Sequence, residues 1–157
     1  MTLSSSDTIL IIGYGNSLRS DDGAGIRVIQ AIQQKPWPGV RSLSVHQLTP
    51  ELAAEIAIAS AVIFVDAALS EFIEVRSLVP NLEGIKLGHH SNPEVLLALT
   101  LSLYERVPPA WGIFIPGINF EFGEELSPKA QEGVKLALER IQTIVNLLVL
   151  LLTIEPP

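Results

Sequence analysis

The sequence contains no cysteine, which excludes disulfides, thiolate metal sites and cysteine nucleophiles. Charge of either sign is scarce, at 17% of residues, and cations are scarcer than anions: ten Lys and Arg against seventeen Asp and Glu. A phosphate backbone is bound chiefly through Lys and Arg, so a net charge of -7 without a local basic cluster argues against a nucleic-acid partner. The opening MTLSSSDTILIIG has no basic segment, and its apolar run stops at a glycine, so no signal peptide is expected. The most membrane-like run is IVNLLVLLLTI at residues 144–154, preceded by Glu139 and Arg140. A spanning helix needs roughly 20 apolar residues. The run therefore reads as a buried core segment, or one that covers a partner surface, and no membrane association is expected. Internal repeats and low-complexity segments are absent too. A cytoplasmic location fits these absences.

What is present is apolar. With 48% hydrophobic residues in a length of 157, the chain has enough material for one well-buried core, and a single domain over 1–157 is expected. Apolar runs and helical periods alternate, which predicts an α/β fold. Residues 8–12 form a short continuous apolar run of the kind buried on both faces, ended by Gly13. From Asp22 onward Ile26, Ile29, Ala31 and Ile32 follow a helical spacing up to the breaker KPWPG. A second strand is predicted over 40–45. The next helix is capped by Thr49-Pro50-Glu51 and turns Leu52, Ile56 and Ala59 inward.

AVIFVDA, residues 61–67, is the clearest strand, and it terminates in an acid, Asp66. Residues 72–78 allow a further strand. GHHSNPEVLLALTLSLY predicts a loop feeding a helix, with Ser91 or Asn92 as cap, Pro93 at the first position, and a stripe of Val95, Leu96, Leu99 and Leu103. A last central strand is predicted over 111–115. Ser127-Pro128 then opens a terminal helix that runs through Leu136, Ile141 and Ile144. This order predicts an open, mostly parallel sheet with helices on both faces, and such sheets bind ligands beyond the carboxyl ends of their strands.

Three polar features fall in that zone. The first, IIGYGNSLRSDDGAG at residues 11–25, has the look of a nucleotide cradle. The third glycine of a dinucleotide fingerprint is replaced by Leu18, and the Gly-Lys-Ser/Thr ending of a phosphate loop is missing. Asp21 and Asp22 also stand where a phosphate would need bare N–H groups. The pair reads either as helix caps or as acids facing the crevice, one of them in each role being compatible with the pattern. Asp66 is the second feature, an acid directly after a buried strand, where it must be hydrogen-bonded, metal-bound or solvated. His89 and His90, in the loop KLGHHSNP, are the third.

Acids and a histidine from three loops on one sheet edge make an oxygen-and-imidazole site for a divalent transition metal. A serine hydrolase is disfavoured: there is no Gly-x-Ser-x-Gly elbow, and Ser17 has no histidine nearby in sequence. His46, after the second strand, is a candidate for the same crevice. FIPGINFEFGEELSP, residues 114–128, reads as a loop that lines a peptide groove or closes the domain.

GYGNSLRSDDGAG, VIFVDA, GHHSNPEVLLAL and PGINFEFGEELSP, in that order, resemble the [NiFe]-hydrogenase maturation proteases. These endopeptidases trim the C-terminal extension from the hydrogenase large-subunit precursor. HQLTPEL and GHHSNPE look most like the branch serving the bidirectional NAD-linked hydrogenase. The resemblance implies a three-layer α/β sandwich with a mostly parallel twisted sheet between helices. It also implies a hydrolase whose metal-contacting residues are Asp22, Asp66 and His89, which leaves Asp21 to read as the structural cap; a monomer is expected.

Many members have Glu where this chain has Asp22, one methylene longer, and a glycine-rich turn where it has His46-Gln47-Leu48-Thr49. The nickel is expected to arrive in the substrate precursor, with weak or no binding by the protease alone. Asp22 or Asp66 then orients or deprotonates the attacking water, and His46 and His90 are the substrate-contact candidates. The alternative is a metal-sensing or chaperone-like module that binds the precursor without cutting it. A more distant one is a small-molecule hydrolase, which would need a closed pocket near Asp22.

Overall fold

The apolar run near the start becomes β1 (Ile9–Tyr14), with all six residues buried. A computed structural model of the chain describes residues 7–88 and 91–154. Strands β2 (Val40–Val45) and β3 (Ala61–Ala68) flank β1 in parallel, and β5 (Ala110–Pro116) lies parallel to β3. The predicted strand over 72–78 forms as β4 (Glu74–Leu78), antiparallel to β5, and completes the order β2-β1-β3-β5-β4.

Successive residues of a strand point to opposite faces, and this divides the apolar runs between two cores. Ile9, Ile11, Ile63, Val65, Ile113 and Ile115 face α1 (Ala24–Gln34) and α5 (Pro128–Thr153). Leu10, Ile12, Tyr14, Val62 and Phe64 face α2 (Leu52–Ile58) and α4 (Pro93–Tyr104). The result is the expected α/β arrangement, a mostly parallel sheet between two helical layers. A short helix, α3 (Leu82–Lys86), was not anticipated; its five residues carry too little apolar period to register, and Asn81 caps it through its side chain.

Two predicted caps form. Asn92 accepts from Glu94 N and Val95 N at the start of α4, and Ser127 accepts from Ala130 N at the start of α5. The Thr49 cap does not. No side chain caps α2; its first N–H groups, from Leu52 and Ala53, bond the backbone carbonyls of Thr49 and Pro50.

Nor does a helix begin at Asp22. A single 3-10 turn, Ser20–Gly23, precedes α1, whose N-cap is Gly23 without a side-chain bond. Neither acid of the pair caps α1, because both carboxylates are engaged elsewhere.

The run over 144–154 is likewise not a wholly buried segment. It is the last part of α5, a helix of 26 residues whose length and composition alone would suffice to cross a membrane. Its inner line of Ala130, Gly133, Ala137, Ile141, Val145 and Leu148 is buried. Leu147 and Leu151, on the other side, are exposed. An apolar helix lying along one side of a sheet covers only one of its own faces.

Candidate functional site at the carboxyl ends of β1 and β3

From β1 the chain leads to β2 on one side and then crosses to β3 on the other, so the carboxyl ends of β1 and β3 flank the point where strand order reverses. Open α/β sheets bind ligands in the crevice at such a point. Asp66 lies within β3, opposite Phe114 of β5, with the strand continuing two residues past it.

Across the crevice the chain leaving β1 turns at Gly15, whose φ is +140°; a Cβ there would fall 2.0 Å from the carbonyl oxygen of Asp22. The glycine thus lets the loop fold back onto the 3-10 turn. Asn16 N then donates to Asp22 Oδ2 at 2.7 Å, and Leu18 N donates to Asn16 Oδ1 at 2.9 Å. Gly25 serves the other side of the same junction, since a Cβ on it would meet the Val65 carbonyl oxygen at 2.4 Å. The glycines of the opening motif are there for close approach of backbone to backbone.

Asp21 is fully buried. It accepts from Ile118 N at 2.9 Å, Asn119 N at 3.1 Å, Ser127 N at 2.7 Å and Ser127 Oγ at 2.7 Å. Burial by itself raises its pKa, but these donors together hold the carboxyl below its ordinary value. Next to it Ser20 adopts the left-handed region at φ +51°. Two bonds keep it there: its N–H donates to Gly123 O at 2.7 Å and its hydroxyl to Glu121 O at 2.9 Å. The loop between β5 and α5 is therefore stitched onto the turn that carries Asp22, and of its two predicted uses it visibly closes the fold.

Asp66 is partly buried, and Ala67 N donates to its Oδ1 at 2.8 Å. Burial raises the Asp66 carboxyl to about 7; the Asp22 charge pushes the same way, and the Ala67 N–H and the Tyr14 hydroxyl oppose it. Asp22 and Asp66 are thus close enough to feel each other's charge. Tyr14, the last residue of β1 and 8% exposed, stands beside Asp66. Burial above all, then the charge and hydrogen-bonding of the neighbouring Asp66 carboxyl, hold the phenol far above its ordinary value.

Tyr14 and Asp66 form part of the wall of an open cleft of about 550 Å³. Arg76 from β4 and Glu94 from the start of α4 line it as well. Arg76 lies 4.6 Å over the Phe114 ring and pairs with Glu74 at 3.2 Å and Glu94 at 3.5 Å. Asp22 is not in this wall but beside it.

His46 is exposed at the end of β2, on the far side of β1 from Asp66, and does not line the cleft. His89 and His90 lie outside the described residues. Leu87 and Ser91, the nearest cleft-lining residues before and after that pair, both stand on its wall. Among the described residues no three His, Asp or Glu side chains form a metal-binding group.

Sequence reasoning missed Tyr14, because the first strand was read over 8–12, two residues short of its end. An aromatic ring with a polar tip at the end of an apolar strand was the available signal. It also missed Arg76, whose β4 position is defined only by pairing with β5.

The class this defines is an open α/β protein with one carboxylate, Asp66, in the wall of a cleft at the strand-order reversal and a second, Asp22, near enough for its charge to act on the first. Several solved structures of the same fold are described as hydrogenase maturation proteases. The hydrogenase maturating endopeptidase HybD from E. coli matches with a TM-score of 0.70 and 22% identity over 88% of this chain and 92% of that one. The [NiFe] hydrogenase maturation protease HybD from Thermococcus kodakarensis matches with 0.68 and 25% over 87% and 98%. The maturation protease HycI from Thermococcus kodakarensis KOD1 gives 0.69 and 23% over 91% and 95%. At these identities the likeness establishes a shared fold. No family model matches the sequence, and no curated protein does.

Proposed function

We propose that this chain is a processing endopeptidase that removes the C-terminal extension of a nickel-loaded [NiFe]-hydrogenase large-subunit precursor. The observation that carries the reading is an open cleft with Asp66 in its wall and Asp22 near enough for its charge to act on Asp66, on the fold of proteins described as hydrogenase maturation proteases. A cleft open to solvent suits a peptide tail better than it suits a small enclosed substrate, which weighs against the small-molecule hydrolase. The branch serving the bidirectional NAD-linked hydrogenase is proposed on the HQLTPEL and GHHSNPE motifs alone.

Peptide hydrolysis needs a water held against the scissile carbonyl and a base for its proton. Asp22 and Asp66 supply carboxylates for these tasks. The water oxygen bonds to the carbonyl carbon, its proton passes to a carboxylate, and the C–N bond breaks as the departing amine takes a proton up. Nickel belongs to the substrate in this scheme, held mainly by the precursor. Two carboxylates with His89 as third donor form a weak, open set that shares such an ion without extracting it. Leu87 and Ser91, which bracket the histidine pair, line the cleft, and this supports assigning His89 there.

Mass spectrometry of a nickel-loaded precursor after incubation with the protein tests the reading. A precursor shortened at its C-terminus, with no shortening by Asp22→Asn or His89→Ala, is the expected result. A precursor that is bound and stays intact would replace the endopeptidase with the non-cutting, metal-sensing module.

A further inference from the structure

Gly13 of β1 is in register with Val65 of β3, so the next residues along the two strands, Tyr14 and Asp66, emerge together at the carboxyl edge. The Tyr14 ring is packed in the core beneath that edge with Leu10, Ile12, Leu48 and Leu52, leaving the side chain little freedom. The Tyr14 ring thus lies on the same face of the sheet as the Asp66 side chain, whose Oδ1 accepts Ala67 N. Both side chains line the cleft. An aspartate has only two torsions to fix, and Ala67 N together with one neighbouring donor on a rigid strand is enough to fix them.

We propose that Tyr14 is a positioning residue: its core-anchored hydroxyl orients the Asp66 carboxylate toward the cleft for the hydrolytic step. The idea rests on the endopeptidase reading. Tyr14 itself touches neither the scissile bond nor the ion in this scheme. It acts by presenting Asp66 in one orientation, so its loss reduces the rate of the bound complex and leaves substrate affinity alone.

Tyr14→Phe tests this, since phenylalanine keeps the ring's packing and deletes only the donor. In metal-free protein labelled with carbon-13, the Asp66 carboxyl resonance, assigned by its absence in Asp66→Asn, shifts in Tyr14→Phe while that of Asp21 stays in place. With nickel-loaded precursor, kcat falls about tenfold or more and KM stays within about twofold, the size expected for one hydrogen bond to a charged group. An unmoved Asp66 resonance overturns the proposal, as does an undiminished kcat. If the wild type cuts no precursor, the endopeptidase reading fails, and the resonance alone then decides whether Tyr14 holds Asp66. If Tyr14→Phe does not fold, Tyr14→Leu in the same resonance experiment takes its place, with the same two outcomes.

Discussion

Asp21 and Ser127 stand 106 positions apart in the chain and share two hydrogen bonds of 2.7 Å, one from the backbone and one from the hydroxyl of the serine. Ser127 uses that same hydroxyl to cap α5 at Ala130. One residue thus joins the start of the last helix to the turn that carries Asp22. Asp21→Ala removes the acceptor shared by the N–H groups of Ile118, Asn119 and Ser127, and is expected to cost about 3 kcal/mol in a urea titration. The folded carboxyl lies below its ordinary 3.8. Its contribution is therefore complete above that value and disappears as pH falls through the folded pKa, so acid unfolding of Asp21→Ala should be less steep than that of the wild type.

Asp66 has the opposite sign. Its folded pKa of about 7 lies above the ordinary 3.8, so the native state holds a proton that the unfolded chain has released. Below 3.8 the group is neutral in both states, and between 3.8 and about 7 the metal-free protein loses stability as pH rises. Asp66→Asn removes this slope. The variant should exceed the wild type by on the order of a few kcal/mol at pH 8 and match it at pH 4, measured by urea midpoints.

Gly15→Ala places a methyl group 2.0 Å from the Asp22 carbonyl in a backbone conformation with φ +140°. The turn has to move, and Asp22 with it. A drop in thermal midpoint corresponding to about 1–3 kcal/mol is expected, together with loss of precursor processing. Equal activity and midpoint would show that the loop tolerates another path.

Asp22→Asn separates the neighbouring acids. Its amide oxygen still accepts from Asn16 N, so the urea midpoint should stay within about 0.5 kcal/mol of the wild type while processing is abolished. Calorimetry with a nickel salt and no precursor should register weak binding or none. Tight binding by the isolated protein would contradict an ion shared with the substrate.

The sequence reveals this site unevenly, for physical reasons. β1 and β3 are legible because a strand buried on both faces is apolar without interruption, and an acid interrupting such a run, as Asp66 does, marks the sheet's edge. The nearness of Asp22 and Asp66 follows from strand order. The role of Asp21 does not, because its partners arrive from 97 to 106 positions away, and nothing in a local pattern distinguishes a clamp of that reach from a helix cap. Capping residues such as Asn92 and Ser127 are local by nature and were readable. Thr49 had the right pattern, and the backbone bonded itself instead.

Both margins of the sheet carry charge. On β2, Arg41 pairs with Glu55 of α2; on β4, Glu74 and Arg76 pair with each other along an exposed strand. Charged margins resist the docking of another extended chain as an extra strand. Extended chains are therefore resisted along both flanks of the sheet, while the cleft lined by Tyr14 and Asp66 opens at the carboxyl ends of the central strands, where no strand has to be added to occupy it.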